Sequence, residues 1–261
     1  LNRPIGIFDS GVGGLTVLHE FLRHLPSEEL IYFGDTARVP YGIKSVETVT
    51  RYSVEIATFL MRQGIKLLVV ACNTASAVAL PDLKRLFPIP VIGVLNPGAR
   101  AAVHYTLRKR VGVIGTESTI GSHAYVRAIH QLDPGVRVYS RACPLFVPLA
   151  EEGWAEHPLT VRVVREYLED LKPTGIDTLV LGCTHYPILK AAIREVIGDG
   201  VRLVDSAYET AREVQEMLLS GRILRDEHSG TVPRFFVTDA PERFRKVGER
   251  FLGSDLKHVE K

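Results

Sequence analysis

Ala71-Cys72-Asn73-Thr74-Ala75-Ser76 returns in altered form as Gly182-Cys183-Thr184-His185-Tyr186-Pro187, and this pair decides how the chain is read. The residues leading into each thiol also correspond. Gly64-Ile65-Lys66-Leu67-Leu68-Val69-Val70 precedes Cys72, and Gly175-Ile176-Asp177-Thr178-Leu179-Val180-Leu181 precedes Cys183, at an offset of 111 residues. Each lead-in is a short apolar run after a glycine, the pattern of a parallel strand buried on both faces. Polar residues and a helix-like segment follow each one. Both thiols are therefore expected at C-terminal strand ends, the edge of an open α/β sheet where ligands bind.

A second correspondence points to duplication. Ile5-Gly6-Ile7-Phe8-Asp9-Ser10 matches Val111-Gly112-Val113-Ile114-Gly115-Thr116 at an offset of 106. The expected fold is α/β: two pseudo-symmetric, doubly wound domains with mostly parallel sheets and a site in the cleft between them. Residues 1–96 plus 207–261 would form the domain carrying Cys72, and 97–206 the domain carrying Cys183.

Composition fits an ordinary globular protein of one large or two modest domains, with 261 residues, 46% hydrophobic and 24% charged. A net charge of +2 gives no global field for nucleic acid or a membrane surface. The basic run Leu107-Arg108-Lys109-Arg110 reads as a solvated helix end. Three cysteines without Cys-x-x-Cys or a leader pattern suggest free thiols in a reducing cytoplasm. No apolar run approaches the ~20 residues that span a bilayer.

In chain order, a strand over 3–8 leads through the turn Asp9-Ser10-Gly11-Val12-Gly13-Gly14 into a helix over 15–25. The glycine spacing matches neither nucleotide-binding pattern, and Asp9 would repel a phosphate, so a ligand carboxylate suits this turn better. Next come a strand over 30–34, the pocket-lining loop Asp35 to Gly42, and a helix to Arg62 capped by Ser45. A helix over 76–86 and a strand over 91–94 precede Asn96-Pro97-Gly98, read as a crossover turn before a helix over 97–107. In the second half, strands are expected over 111–114, 136–140 and 201–204, and helices over 159–171, 188–197 and 206–219. A strand over 235–237 and a helix over 241–252 return to the first domain. Cys143 has no counterpart and reads as a small buried hydrophobe.

A matched thiol pair could be a redox dithiol, part of a metal site, or an acid and base on opposite faces of one substrate. Zinc would want four ligands, and Cys72, Cys183 and His185 do not supply them; a thioredoxin-type dithiol would sit on a single turn. Cys183 with His185 could serve nucleophilic catalysis, which leaves Cys72 unused. Moving a proton across a stereocentre needs a base on one face and an acid on the other, as in racemisation. A thiol with a pKa of ~8.5 can take either role if a neighbour tunes it.

Asp9-Ser10-Gly11-Val12-Gly13-Gly14-Leu15, Tyr32-Phe33-Gly34-Asp35-Thr36, Pro40-Tyr41-Gly42, Ala71 to Ala75 and Gly182 to Pro187 together resemble the glutamate racemases. These are cofactor-independent bacterial enzymes that supply D-glutamate for peptidoglycan. The Ala-Cys-Asn-Thr block alone is shared with aspartate and hydantoin racemases. The resemblance implies no cofactor, no metal, and a homodimer. It implies Cys72 and Cys183 as the acid/base pair, with Asp9 beside Cys72, and His185 backed by Glu151 beside Cys183. It implies that Cys72 faces the α-proton of D-glutamate and Cys183 that of L-glutamate. Asp9, Ser10, Tyr41, Gly42, Asn73, Thr74, Thr184 and His185 would contact substrate, together with Thr116 and Thr119. Short neutral donors in this set can hold a carboxylate without adding net charge, and they can stabilise charge built at the α-carbon. Each residue also has a structural use: Asn and Ser cap helices, and Tyr41 can pack. Another small acid as substrate, or a non-catalytic protein that binds a partner through this fold, are the alternatives.

Overall fold

The computed structural model describes residues 2–221, 223–224 and 232–261. Among the described residues ten strands form two sheets. The first contains β1 (Ile5–Asp9), β2 (Leu30–Gly34), β3 (Leu67–Val70), β4 (Val91–Gly93), β9 (Arg234–Val237) and β10 (Val259–Glu260). The second contains β5 (Arg110–Gly115), β6 (Arg137–Ala142), β7 (Thr178–Gly182) and β8 (Arg202–Asp205). All strand pairings among the described residues are parallel.

The repeat seen in the sequence is a repeat of topology. The first sheet runs β10-β9-β2-β1-β3-β4 and the second β6-β5-β7-β8, so β2-β1-β3-β4 and β6-β5-β7-β8 follow the same order. The strands paired by sequence, β1 with β5 and β3 with β7, occupy equivalent places. In each sheet the central strand and its thiol-bearing neighbour are apolar and almost wholly buried, as parallel strands covered on both faces must be. The fold is therefore α/β, with two parallel sheets.

Two helices carry the chain between the sheets. Leu95–Tyr105 leaves the first, and Ser206–Ser220 returns to it. Both pack together, with Arg100 paired to Glu213. One continuous apolar cluster joins Ile5, Ile7 and Leu15 of the first half to Leu179, Leu181, Ala211 and Val214. The sheets thus share a core at their junction.

Most expected elements occur within a residue or two of their predicted bounds. Ser45 accepts from the Thr48 N–H at 3.3 Å, and Val49, Ser53, Ile56 and Leu60 bury one face of the helix Val46–Arg62. Three readings are corrected. Asn96-Pro97-Gly98 is not a turn, because the helix starts at Leu95; proline is tolerated there, since N–H groups of the first helical turn lack intrahelical partners. The expected helix over 76–86 is two helices, Asn73–Val78 and Leu80–Leu86, and the first begins directly after Cys72. Helices Ala124–Leu132 and Phe146–Glu151 were not foreseen. The first follows a left-handed break at His123, and the second is too short to establish a helical period.

Candidate active site

Both thiols sit where the sequence puts them. Cys72 is the N-cap of Asn73–Val78 just beyond β3, and Cys183 directly follows β7. The two line one cavity of about 160 Å³ at the facing C-terminal edges of the sheets. The first half contributes Ser10, Tyr41, Gly42, Asn73 and Thr74, and the second Thr116, Glu151, Thr184 and His185. Two expected contacts do not line it: Asp9 and Thr119 are buried behind the wall.

Asp9 explains the glycine turn. Its carboxylate accepts the Gly11 N–H at 2.9 Å, is also hydrogen-bonded by Gly14, and accepts from the Thr184 hydroxyl at 3.4 Å. The turn does bind a carboxylate, but the carboxylate belongs to Asp9. Glycine is needed at position 13 for a further reason: a Cβ there would lie 2.3 Å from Thr184 Oγ1 and 2.5 Å from the His185 ring. The two halves meet backbone against side chain at that point. Thr16 fastens the contact by donating to the Thr184 carbonyl at 3.0 Å.

The environments of the two thiols differ. Cys72 donates to the Ser10 hydroxyl at 3.8 Å. Burial first, and then the charge of Asp9, push its pKa up to about 12, against weaker help from the Ala75 N–H and Ser10. Asp9 is raised as well, by burial, although His185 and its hydrogen bonds oppose the shift. No hydrogen bond joins Asp9 to Cys72 among the described contacts, so Asp9 acts on that thiol through charge.

Cys183 instead has a basic ring at hand. His185 Nδ1 lies 3.8 Å from its sulfur, and His185 Nε2 lies 3.0 Å from Glu151 Oε1. Burial disfavours the imidazolium, but Cys183 and Glu151 outweigh it and hold the His185 pKa up, at about 10. Burial likewise opposes ionisation of Glu151, yet His185 and the Arg243 charge keep its carboxyl below the ordinary value. Phe251 meets the His185 ring edge-on at 5.3 Å.

The remaining walls are hydroxyls, one amide and an apolar side. Thr74 Oγ1 lies 3.1 Å from Thr116 Oγ1 and 3.2 Å from Thr119 Oγ1, which bridges the halves; Thr116 also caps the helix Glu117–Gly121. Asn73 lines the cavity and is 3% exposed, and its Nδ2 is buried without a partner, a donor left unused in the wall. Tyr41 lines the cavity, but its hydroxyl donates to Asp35. Asp35 is fully buried and also accepts from Arg38 Nε and Thr238 Oγ1, which fixes the loop over 35–42.

Sequence reasoning placed Val39 in the pocket-lining loop but missed Val147 and Pro148, which complete the apolar wall. Their signal was the spacing of Val147, Pro148 and Glu151, one face of a single helical turn. It also missed Asp35, which was read only as part of a loop. Cys143 is fully buried, as expected. Among the described residues no group of three or more His, Cys, Asp or Glu could hold a metal ion, and no helix is long and apolar enough to cross a membrane.

Known proteins resemble this chain in sequence and fold. A family profile described as Asp/Glu/Hydantoin racemase matches residues 10–214. A glutamate racemase of Geobacter metallireducens is 60% identical over 257 residues, 98% of this chain and 95% of the relative. The crystal structure of glutamate racemase from Francisella tularensis in complex with D-glutamate superposes with a TM-score of 0.93 at 42% identity, covering 99% of this chain and 97% of that one. The Thermus thermophilus glutamate racemase, in complex with beta-chloro-D-alanine, gives 0.91 at 50% identity, over 100% and 96%. With thiols at equivalent strand ends and relatives this similar over nearly the whole length, the chain belongs to the Asp/Glu/Hydantoin racemase family and, within it, to the glutamate racemases.

Proposed function

We propose that this protein interconverts L- and D-glutamate by proton transfer between Cys72 and Cys183, and that it supplies D-glutamate for peptidoglycan synthesis. The observation that carries the reading is that both thiols, from equivalent strands of two repeated sheets, line one cavity. A volume of about 160 Å³ suits a small amino acid better than the larger ligands of ordinary pockets, at about 300–1,000 Å³.

In the direction from L-glutamate, Cys183 as thiolate takes the α-proton, and the C–H electron pair stays on the α-carbon. The Cys72 thiol then gives its proton to the opposite face, and that pair becomes the new C–H bond. From D-glutamate the roles reverse. The high pKa of Cys72 suits it to act as the acid, and His185, held charged by Cys183 and Glu151, stands beside Cys183 to support it as the base. The Asn73 amide and the hydroxyls of Ser10, Thr74 and Thr184 would hold the substrate carboxylates and stabilise charge spread from the α-carbon. Thr116 would add a hydroxyl at the wall, while Thr119 orders Thr74 and Thr116 from behind. Gly42 would offer backbone, and Tyr41 its ring. Asp9 would set the proton affinity of Cys72 from outside the cavity.

The apolar wall of Val39, Val147 and Pro148 favours a substrate with methylenes between its carboxylates, and relatives at 53–60% identity are named for glutamate. Residues 1–96 plus 207–261 and 97–206 are the proposed domains, a division supported by sheet membership. A cytoplasmic homodimer is the proposed form. The test is circular dichroism of L-glutamate, and separately of L-aspartate, incubated with purified protein and no added cofactor. Loss of the glutamate signal is expected, and an unchanged signal refutes the function. Light scattering of the same sample reads the oligomeric state.

A further inference from the structure

We propose that Tyr125 is a positioning residue for substrate recognition, fixing the Asn73 amide so that its NH₂ group faces the cavity. The inference rests on the glutamate reading above and concerns a residue outside the cavity lining and outside the sequence blocks that carry the family resemblance.

Tyr125 lies on the helix Ala124–Leu132 and is 2% exposed, so its hydroxyl must find partners inside the protein. It donates to Asn73 Oδ1 at 2.6 Å, and Ser206 lies near the phenol oxygen. That hydrogen bond directs the phenol proton at Asn73. The two ends of an amide have nearly the same shape, and neighbours decide which end points where. Tyr125 takes the oxygen. Nδ2 is left buried, without a partner, on a residue that lines the cavity. The opposite orientation would aim a carbonyl oxygen at a carboxylate substrate.

The ring stands where the halves meet. A Cβ on Gly182 would lie 3.1 Å from Tyr125 Cε2, and one on Gly98 would lie 3.4 Å from the Tyr125 hydroxyl. Gly182 immediately precedes Cys183, and Asn73 immediately follows Cys72. Gly98 and Ser206 belong to the two helices that connect the sheets. Tyr125 therefore sets the amide beside one thiol relative to the backbone beside the other.

The test is Tyr125→Phe, alone and combined with Asn73→Ala. Phenylalanine keeps the ring against Gly182 and Gly98 and removes only the directing proton; thermal melting verifies the fold. KM for both enantiomers, and Kd for D-glutamate by calorimetry, should rise roughly tenfold, as for one misdirected hydrogen bond to a charged group, with a smaller change in kcat. In the Asn73→Ala background, Tyr125→Phe should add nothing, because both act through one amide. Equal losses in both backgrounds, or Asn73→Ala raising KM while Tyr125→Phe does not, overturn the Tyr125 assignment alone. Unchanged KM in Asn73→Ala overturns the binding role of Asn73 and that of Tyr125 with it. An unaltered protein that neither binds nor racemises glutamate overturns the function and the inference together.

Discussion

Glu151 Oε1 lies 3.0 Å from His185 Nε2, while the other nitrogen of the same ring faces Cys183 at 3.8 Å. A carboxylate at the end of one short helix thus acts on a thiol through an imidazole, and among the described residues Cys72 has no such relay. His185→Asn should reduce turnover by ~10²–10⁴-fold, the usual worth of general acid–base assistance. Glu151→Gln should cost a fraction of that and move the alkaline limb of the kcat/KM profile to lower pH, because His185 loses one of the groups that keep it charged. Profiles of the two variants check this. An unmoved limb in Glu151→Gln would remove the relay.

The same groups give stability a pH dependence whose sign follows from proton binding. His185 rises from an ordinary 6.5 to about 10, so its contribution is complete below pH 6.5 and is lost as pH climbs through 10. Cys72, raised from 9.0 to about 12, adds a further loss above pH 9, since only the folded state must keep that thiol neutral. Glu151, held below its ordinary 4.5, contributes above that value and stops contributing as pH falls through its depressed pKa; raised Asp9 runs the opposite way on the acid side. The thermal midpoint should therefore fall steadily from pH 6.5 to 10, and His185→Asn should flatten that slope. An equal slope in the variant would show that His185 is not its source.

Strand order and both thiols were legible because parallel strands buried on both faces write continuous apolar runs, and duplication writes them twice. The glycine turn was legible only in part. Its ligand is Asp9 and its close neighbours are Thr184 and His185, a contact between residues 175 positions apart that no local pattern announces. Tyr125 stayed hidden for a similar reason: its helix buries only Ala124, Tyr125 and Ile129, and its partner Asn73 is in the other half. Asn73, Thr74 and Thr184 were found through sequence adjacency to the cysteines. Asp35 was not, since its role is to hold Arg38, Tyr41 and Thr238 together.

Tyr41 tests the difference between lining a cavity and reaching into it. Its hydroxyl is committed to the fully buried Asp35, so Tyr41→Phe weakens the support of the loop over 35–42 rather than a substrate contact. Stability should fall by about 1–3 kcal/mol, the cost of breaking a buried hydrogen bond to a charged group, with KM changing little. Denaturant unfolding and steady-state kinetics on one preparation decide it. A large rise in KM with unchanged stability would return the hydroxyl to the substrate.

Cys72→Ala and Cys183→Ala should each abolish racemisation and leave opposite half-reactions. If Cys183 takes the α-proton of L-glutamate, Cys72→Ala retains the base for that enantiomer and the His185–Glu151 relay behind it. Cys183 then removes the proton, exchanges it with D₂O and returns deuterium to the same face, so L-glutamate is labelled with retention. Cys183→Ala should label D-glutamate through Cys72, and more slowly, because Cys72 has Asp9 rather than a cation beside it and must leave a state in which burial holds it protonated. Partial lesions behave differently. The enantiomers have equal free energy in water, so a variant such as His185→Asn must lower kcat/KM equally in both directions, and asymmetry can appear only in kcat and KM separately. Deuterium incorporation followed by NMR for both enantiomers with both alanine variants reads the assignment directly. Labelling of the opposite enantiomer by each variant would exchange the faces given to the two thiols, and racemisation by either variant at near the unaltered rate would sink the two-base mechanism.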